Sequence, residues 1–184
     1  MKIVNSGFKH GKNCELRDPY VIYPEVIIGD DFSCGHFCII RESTIIGNSC
    51  SIGSSAEIGH HCKIGNNVRI HSSCFIPEFT EIFDNAWIGP RVTILNTVHP
   101  CCSNAKICLQ KTAVKIFSGA IIGAGCIILP NVTIGHNVFI GAGTLVTKDI
   151  GDNCVYYGNP AELKRMHRAT LTCKFDESKK PYNQ

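Results

Sequence analysis

Eight histidines and twelve cysteines are the residues of this 184-residue chain best suited to acid–base, nucleophilic or metal chemistry. His99 lies in the stretch VTILNTVHPCCSNAKICLQKTAVKI, residues 92–116, together with Cys101, Cys102 and Cys108. Imidazole titrates near neutral pH, so His99 could take a proton from an attacking hydroxyl or amine. The three cysteines lack the CxxC…CxxC spacing of a zinc site, and we interpret them as reduced thiols.

The elements that would position these residues are indicated by a six-residue repeat. Its first position is apolar through residue 94, at Ile28, Cys34, Ile40, Ile46, Ile52, Ile58, Ile64, Ile70, Ile76, Ile82, Ile88 and Ile94. Its fifth position is small or β-branched, at Cys38, Thr44, Cys50, Ala56, Cys62, Val68, Cys74, Thr80, Ala86 and Val92. Cysteine here behaves as a small apolar residue.

A fixed internal period of this kind predicts a solenoid. Positions five and one, two residues apart, give the in-out-in alternation of a short strand, and the glycine-rich and polar positions between them suit corners. Three units per coil would close a triangular prism with coils about 4.8 Å apart. The predicted fold class is all-β, a parallel β-helix. His36, His60, His61 and His136 then fall at corners, His71 takes a glycine slot, and His10 and His167 lie outside the repeats.

The repeat is broken after Ile94, because Pro100 stands where the next apolar position is due and the pattern returns at Gln110. We therefore predict one extruded loop of ten residues, about 100–109. Such loops project from a solenoid wall and often carry function. The hexad count places His99 on an outward position of the wall that carries Ile45, Lys63, Glu81, Ile127 and Leu145.

Length and composition predict one β-helix domain over 1–159, followed over 160–184 by a short C-terminal helix, begun by Pro160, and a polar tail. The net charge of +3 is too small and dispersed to predict a nucleic-acid partner or an anionic membrane surface. No apolar run approaches the roughly 20 residues of a membrane span, and the first residues lack the apolar core of a signal peptide. We predict a cytoplasmic protein.

The segments IGAGCIILPNVTIGHNVFIGAGTLVTKDI and YGNPAELKRM resemble the hexapeptide-repeat acyltransferases, and the resemblance extends over about residues 21–168. It implies a left-handed β-helix, a hand that the periodicity itself does not give. It also implies acetyl-CoA as co-substrate, no metal, and a homotrimer with active sites between neighbours.

Site residues follow from the matching motifs. In galactoside and maltose acetyltransferases a comparable loop begins with a histidine-proline pair, here His99-Pro100, which implies His99 as general base. Ala124 and Ala142 match positions that line the pantetheine arm. Thr147, Lys148 and Arg165 match positions near the adenine and phosphates. Glu162 stands where relatives often carry a basic residue, which leaves the phosphate contact to Lys164, Arg165 or Lys148.

The acceptor is indicated by NNVRIHSSCFIPEFTEIFDNAWIGPRVTIL, which resembles the subgroup that acetylates amino groups of nucleotide-linked sugars. Glu78 and Asn96, near His99 in the chain or one coil earlier, are the candidate acceptor contacts. O-acetylation of a sugar or serine hydroxyl is an alternative, as is a non-catalytic β-helix scaffold subunit. The γ-class carbonic anhydrases share the prism, but they hold zinc with two histidines five residues apart, a spacing this sequence lacks.

An outward apolar stripe would mark the trimer contact. Taking every third hexad as one wall groups Phe75, Ile121 and Phe139, and we predict that these three residues lie together in that contact.

Overall fold

The computed structural model describes residues 7–98 and 113–166, and over these ranges the chain is a parallel β-solenoid of about seven turns. Three sheets form its walls. Sheet A contains β1 (Lys9–His10), β4 (Ile27–Ile28), β7 (Ile45–Ile46), β10 (Lys63–Ile64), β13 (Glu81–Ile82), β16 (Lys115–Ile116) and β19 (Thr133–Ile134). Sheet B contains β2 (Glu15–Leu16), β5 (Ser33–Cys34), β8 (Ser51–Ile52), β11 (Arg69–Ile70), β14 (Trp87–Ile88), β17 (Ile121–Ile122), β20 (Phe139–Ile140), β22 (Cys154–Tyr157) and β23 (Glu162–Met166). Sheet C contains β3 (Val21–Ile22), β6 (Ile39–Ile40), β9 (Glu57–Ile58), β12 (Phe75–Ile76), β15 (Thr93–Ile94), β18 (Ile127–Ile128) and β21 (Leu145–Val146).

From β3 to β21, each two-residue strand points its first side chain outward and its second into the prism, as the hexad pattern predicts. In β7, Ile45 is 48% exposed and Ile46 only 2%. Ile46 is paired with Ile64 of the next coil, 18 residues later. Stacking one buried isoleucine on another along each wall builds a continuous core, and each such burial stabilises the fold by about 1.5–3 kcal/mol.

The fifth-position cysteines are buried, and they also donate hydrogen bonds. The thiols of Cys50, Cys62 and Cys74 each donate to a corner carbonyl 15 residues later, at 3.0–3.1 Å. Burial raises the pKa of Cys62 to about 12, which keeps its thiol protonated. All cysteines within the described ranges are free. The three loop cysteines that we predict to be reduced lie outside these ranges.

The insertion is longer than predicted. In sheet A, Ile82 is paired with Ile116, which is 34 residues later instead of the 18 that separate ladder neighbours elsewhere. The coil therefore contains 16 extra residues. They follow β15, at the corner between sheets C and A. The loop predicted for 100–109 lies outside the described residues.

The longer insertion changes which wall each later strand joins. Lys115 follows Glu81 in sheet A, in the outward position that the hexad count gave to His99. Ile127 and Leu145 belong to sheet C, and Ile121 and Phe139 belong to sheet B beside Trp87. Phe75 lies on sheet C, so the predicted single wall of Phe75, Ile121 and Phe139 is wrong.

The end of the solenoid differs from the prediction in another way. Residues 162–166 form the strand β23, antiparallel to β22, where we predicted a short helix. Among the described residues there is also no helix with the length and apolar character of a membrane span.

Candidate active site

Two edges of the prism carry the residues singled out by the sequence. We call the corner between sheets C and A the loop edge; its residues are 41–44, 59–62, 77–80, 95–98, 129–132 and 147–149. We call the corner between sheets B and C the alanine edge; its residues are 35–38, 53–56, 71–74, 89–92, 123–126 and 141–144. Sheet C separates the two edges.

Glu78 and Asn96 are brought together on the loop edge, directly below the insertion. The Asn96 side-chain amide donates to Glu78 Oε2 at 2.8 Å, and the Thr97 hydroxyl donates to Asn96 Oδ1 at 3.2 Å. Asn96 is 6% exposed, whereas the Glu78 side chain is 31% exposed. The pair therefore presents a carboxylate to solvent at the point where the chain leaves the solenoid.

Two histidines lie one coil below Glu78 and were not predicted as site residues. His60 Nε2 is 4.0 Å from Glu78 Oε1, and His60 Nδ1 is 2.9 Å from His61 Nδ1. The Phe79 ring packs edge-on against His60, with centroids 5.1 Å apart. The signal for this cluster is the 18-residue spacing of positions 60, 78 and 96, which places one residue of each coil at the same point of the edge.

Glu42 continues the same column one coil further down. Arg41 donates to its two carboxylate oxygens at 2.8 and 2.9 Å, and this hydrogen bonding lowers the pKa of Glu42 to about 2. Glu42 is therefore an ionised carboxylate whose charge is already paired with that of Arg41. Glu78 makes no comparable bidentate pair with an arginine within the described ranges.

Above the insertion, Thr147 and Lys148 follow β21 on the loop edge. They lie two coils beyond Asn96, a separation of about 10 Å at the usual spacing between strands. Both are exposed. These two predicted coenzyme contacts therefore lie on the same edge as the predicted acceptor residues.

On the alanine edge, as at the other corners, successive coils approach closely. A Cβ at Gly89 would lie 2.7 Å from the backbone nitrogen of Ala124, so only glycine fits there. The same corner in the next coil carries Ala142. At Gly125 and Gly143 an added Cβ would meet nothing within 4 Å. The surface along Ala124 and Ala142 is therefore smooth and open, and could accept a thin, extended group.

Tyr157 of β22 packs over Gly141 on this edge. Lys164 Nζ is 5.1 Å from the Tyr157 ring centroid and 2.8 Å from Glu162 Oε2. This contact with Glu162 raises the pKa of Lys164 and lowers that of Glu162. Arg165 is paired with Val155 through the β22–β23 ladder. Glu162, the departure noted in the sequence, thus shares its charge with a predicted phosphate contact.

The predicted residues do not converge within one chain. Glu78, Asn96, Thr147 and Lys148 lie on the loop edge, whereas Ala124 and Ala142 lie on the alanine edge. His99 lies outside the described residues. No group of three or more metal-ligating side chains is placed to hold a metal ion in residues 7–98 and 113–166.

The repeats match a known family. The family model described as "Bacterial transferase hexapeptide (six repeats)" aligns with residues 43–78 and 113–148, on both sides of the insertion. Over these two segments the chain carries the hexapeptide repeat of this family. The two matched segments correspond to complete turns of the solenoid, so the family repeat and the structural repeat are the same unit.

Relatives of this chain include two sugar-modifying enzymes. It is 40% identical over 94 residues to a galactoside O-acetyltransferase of Lactococcus lactis, covering 50% of this chain and 45% of the relative. It is 46% identical over 54 residues to a dTDP-3-amino-3,6-dideoxy-alpha-D-galactopyranose 3-N-acetyltransferase of Aneurinibacillus thermoaerophilus, covering 29% and 27%. The chain thus matches less than half the length of these relatives.

Among solved structures, AntD, an N-acyltransferase from Bacillus cereus in complex with dTDP and 3-hydroxybutyryl-CoA, has a similar fold. The TM-score is 0.54 at 23% identity, covering 88% of this chain and 85% of that one. At this identity the likeness concerns the fold.

Proposed function

We propose that this protein transfers an acetyl group from acetyl-CoA to the amino group of a nucleotide-linked amino sugar. One observation carries the proposal: the regular prism is opened by 16 extra residues directly above the Glu78–Asn96 pair. An exposed carboxylate held by an amide suits a cationic amino group, and a solenoid gains a site where its repeat is interrupted. The cytoplasmic location predicted from the sequence is part of the proposal.

Glu78, Asn96 and His99 have separate roles in the proposed reaction. Glu78 binds and orients the acceptor through its amino group, and Asn96 holds the carboxylate in place. His99, three residues after Asn96, takes a proton from the amine as its nitrogen attacks the thioester carbonyl. It then returns that proton to the departing thiolate.

Acetyl-CoA would lie along the alanine edge. Ala124 and Ala142 give the pantetheine arm a surface without protruding side chains, and the phosphates of the coenzyme would meet Lys164 and Arg165 of β23. Thr147 and Lys148 lie on the other edge, so a single chain does not gather all the predicted coenzyme contacts. A homotrimer, in which the loop edge of one copy faces the alanine edge of the next, would bring them together.

O-acetylation is the second candidate, because the Lactococcus lactis relative carries that name. The accessible carboxylate of Glu78 favours the amine, since a neutral hydroxyl gains less from an adjacent anion than an ammonium does. The remaining alternative is a non-catalytic scaffold subunit, in which the loop edge would bind no substrate.

The test is a mass-spectrometric screen of the purified protein with acetyl-CoA and a panel of acceptors. The panel should contain nucleotide-linked amino sugars, the corresponding hydroxyl sugars, a free galactoside and serine. We expect one acetyl group to be added to an amino sugar, and not to its hydroxyl counterpart. Acetylation of a hydroxyl acceptor alone would favour the second candidate, and no transfer together with no acetyl-CoA binding would favour the scaffold.

A further inference from the structure

The loop edge carries a histidine pair that the reaction described above does not use. His60 Nδ1 and His61 Nδ1 are 2.9 Å apart. A neutral imidazole has one N–H and one bare nitrogen, so one ring donates in this contact and the other accepts. Phe79 packs against both rings, at centroid distances of 5.1 and 5.4 Å. The two rings are therefore held in register for a proton to pass between them.

The other ring nitrogen of His60 faces the predicted acceptor site. His60 Nε2 lies 4.0 Å from Glu78 Oε1, while Asn96 holds Oε2 of the same carboxylate. His60 contacts His61 and Glu78, and it interacts electrostatically with Glu42 one coil below. Of these, Glu42 already accepts two hydrogen bonds from Arg41. Lys63, the next cation along the chain, is 3.3 Å from Glu81. Glu78 is thus the carboxylate left to interact with His60.

The reaction stoichiometry supplies a role for such a pair. An amino sugar is an ammonium ion near neutral pH, and acetylation of its nitrogen removes two protons. One proton goes through His99 to the thiolate of coenzyme A, which leaves as a thiol. The second is released, because the products are a neutral amide, the thiol and one proton. A hydroxyl acceptor has only the first proton to lose and needs no such release.

We propose that Glu78, His60 and His61 form the path by which the ammonium loses this second proton. An N–H bond of the ammonium breaks as the proton passes to Glu78. His60 Nε2 is 4.0 Å from Glu78 Oε1, beyond direct hydrogen-bond distance, so Glu78 gives up its proton through one water molecule and an N–H bond forms at Nε2. His60 then donates from Nδ1 to His61, whose exposed ring passes the proton to water. No electrons are gained or lost. His60 and His61 are positioning residues that act through Glu78, and the inference rests on the proposed amine acceptor.

The test measures kcat/KM for the amino-sugar acceptor from pH 6 to pH 9.5 in wild type and His60→Gln. With the path removed, only the free amine reacts, so the rate of the variant should fall about tenfold for each pH unit below the pKa of the acceptor. Near pH 9.5 it should return to the wild-type rate. At pH 6.5 we expect a loss of about 10²-fold. His136→Gln is the control and should follow the wild-type profile, because this histidine lies at the corner between sheets A and B, with its ring tilted against Phe117.

A His60→Gln profile parallel to wild type at every pH would overturn the inference while leaving the proposed function intact. No acetylated amine with wild type would overturn the proposed function itself. A second readout does not depend on turnover: nitrogen-15 NMR of the imidazoles in wild type and Glu78→Gln. We expect the His60 tautomer populations to change in the variant, with a smaller change at His61. Unchanged signals from both rings would show that Glu78 and the pair do not share a proton, which overturns the path.

Discussion

His99 is the residue on which the proposed acid–base chemistry depends. We predict that His99→Asn lowers turnover by about 10²- to 10⁴-fold, because the nitrogen then attacks without a base in place. Acetyl-CoA affinity and folding should not change, since the coenzyme contacts lie elsewhere. Steady-state kinetics beside calorimetric coenzyme binding is the measurement. Near-normal turnover of the variant from pH 6 to pH 9 would remove His99 from the mechanism.

The Arg41–Glu42 pair makes a small, pH-dependent contribution to stability. The folded state lowers the pKa of Glu42 from 4.5 to about 2, so this contribution is present above pH 4.5 and is lost as the pH falls to about 2. Both side chains are 36% exposed, and solvent screening limits the effect to about 1 kcal/mol or less.

We therefore predict that Arg41→Gln destabilises the protein slightly at pH 7 and has no effect near pH 2. Urea unfolding at the two pH values is the measurement. Arg17→Gln, which removes a more exposed ion pair with Glu15, is the control and should change stability less. An equal loss at both pH values would mean that Arg41 acts through packing, and not through the charge of Glu42.

The proximity of Glu78 and Asn96 could be predicted from the sequence, because the two residues are 18 positions apart, which is one full coil. Asn96 also lies near His99 in the chain. The hydrogen bond between Glu78 and Asn96 follows from that spacing. His60 has the same spacing signal, and His61 is its neighbour in the chain. They were interpreted as ordinary corner residues, because corners tolerate most polar side chains and the sequence does not show which of them meet a charged partner.

At the scale of the elements, strand positions were predictable and wall assignment after the insertion was not. After an insertion of 10 residues or of 16, the six-residue repeat resumes in the same phase, because the two lengths differ by one repeat of six. The wall that a strand joins depends on its position within the 18-residue coil, which contains one six-residue repeat for each wall. The pairing of Glu81 with Lys115 supplies that count. Similarly, residues 162–166 pair with β22 because that strand leaves an open sheet edge, a tertiary contact that local propensity does not contain.

The close packing of coils makes a specific prediction at Gly89. A Cβ there would lie 2.7 Å from Ala124 N and 2.8 Å from Ile122 O, both backbone atoms that cannot move aside separately. Gly89→Ala should therefore destabilise the protein by about 1–3 kcal/mol, the usual cost of overpacking. Gly151→Ala is the matched control, because its Cβ would meet nothing within 4 Å. Denaturant unfolding of both variants is the measurement, and an equal, small effect would contradict the close approach.

At the scale of the whole molecule, the predicted acceptor residues and the two alanines predicted to line the pantetheine arm lie on opposite sides of sheet C. This sheet has exposed apolar side chains, among them Phe75 at 38% and Ile127 at 43%. Contact along such a surface would allow the loop edge of one copy to face the alanine edge of its neighbour. Light scattering at micromolar concentration should therefore give a trimer. A monomer would leave the two halves of the proposed site apart.

Subunit complementation tests the shared site most directly. His99→Ala damages the loop edge, Ala142→Trp blocks the alanine edge, and each variant alone should be inactive. Trimers assembled from an equal mixture should recover about a quarter of wild-type acetyl transfer, because a site works only where an intact loop edge meets an intact alanine edge. If the mixture forms mixed trimers yet stays as inactive as the separate variants, the two edges do not combine across copies, and the account of the active site is wrong.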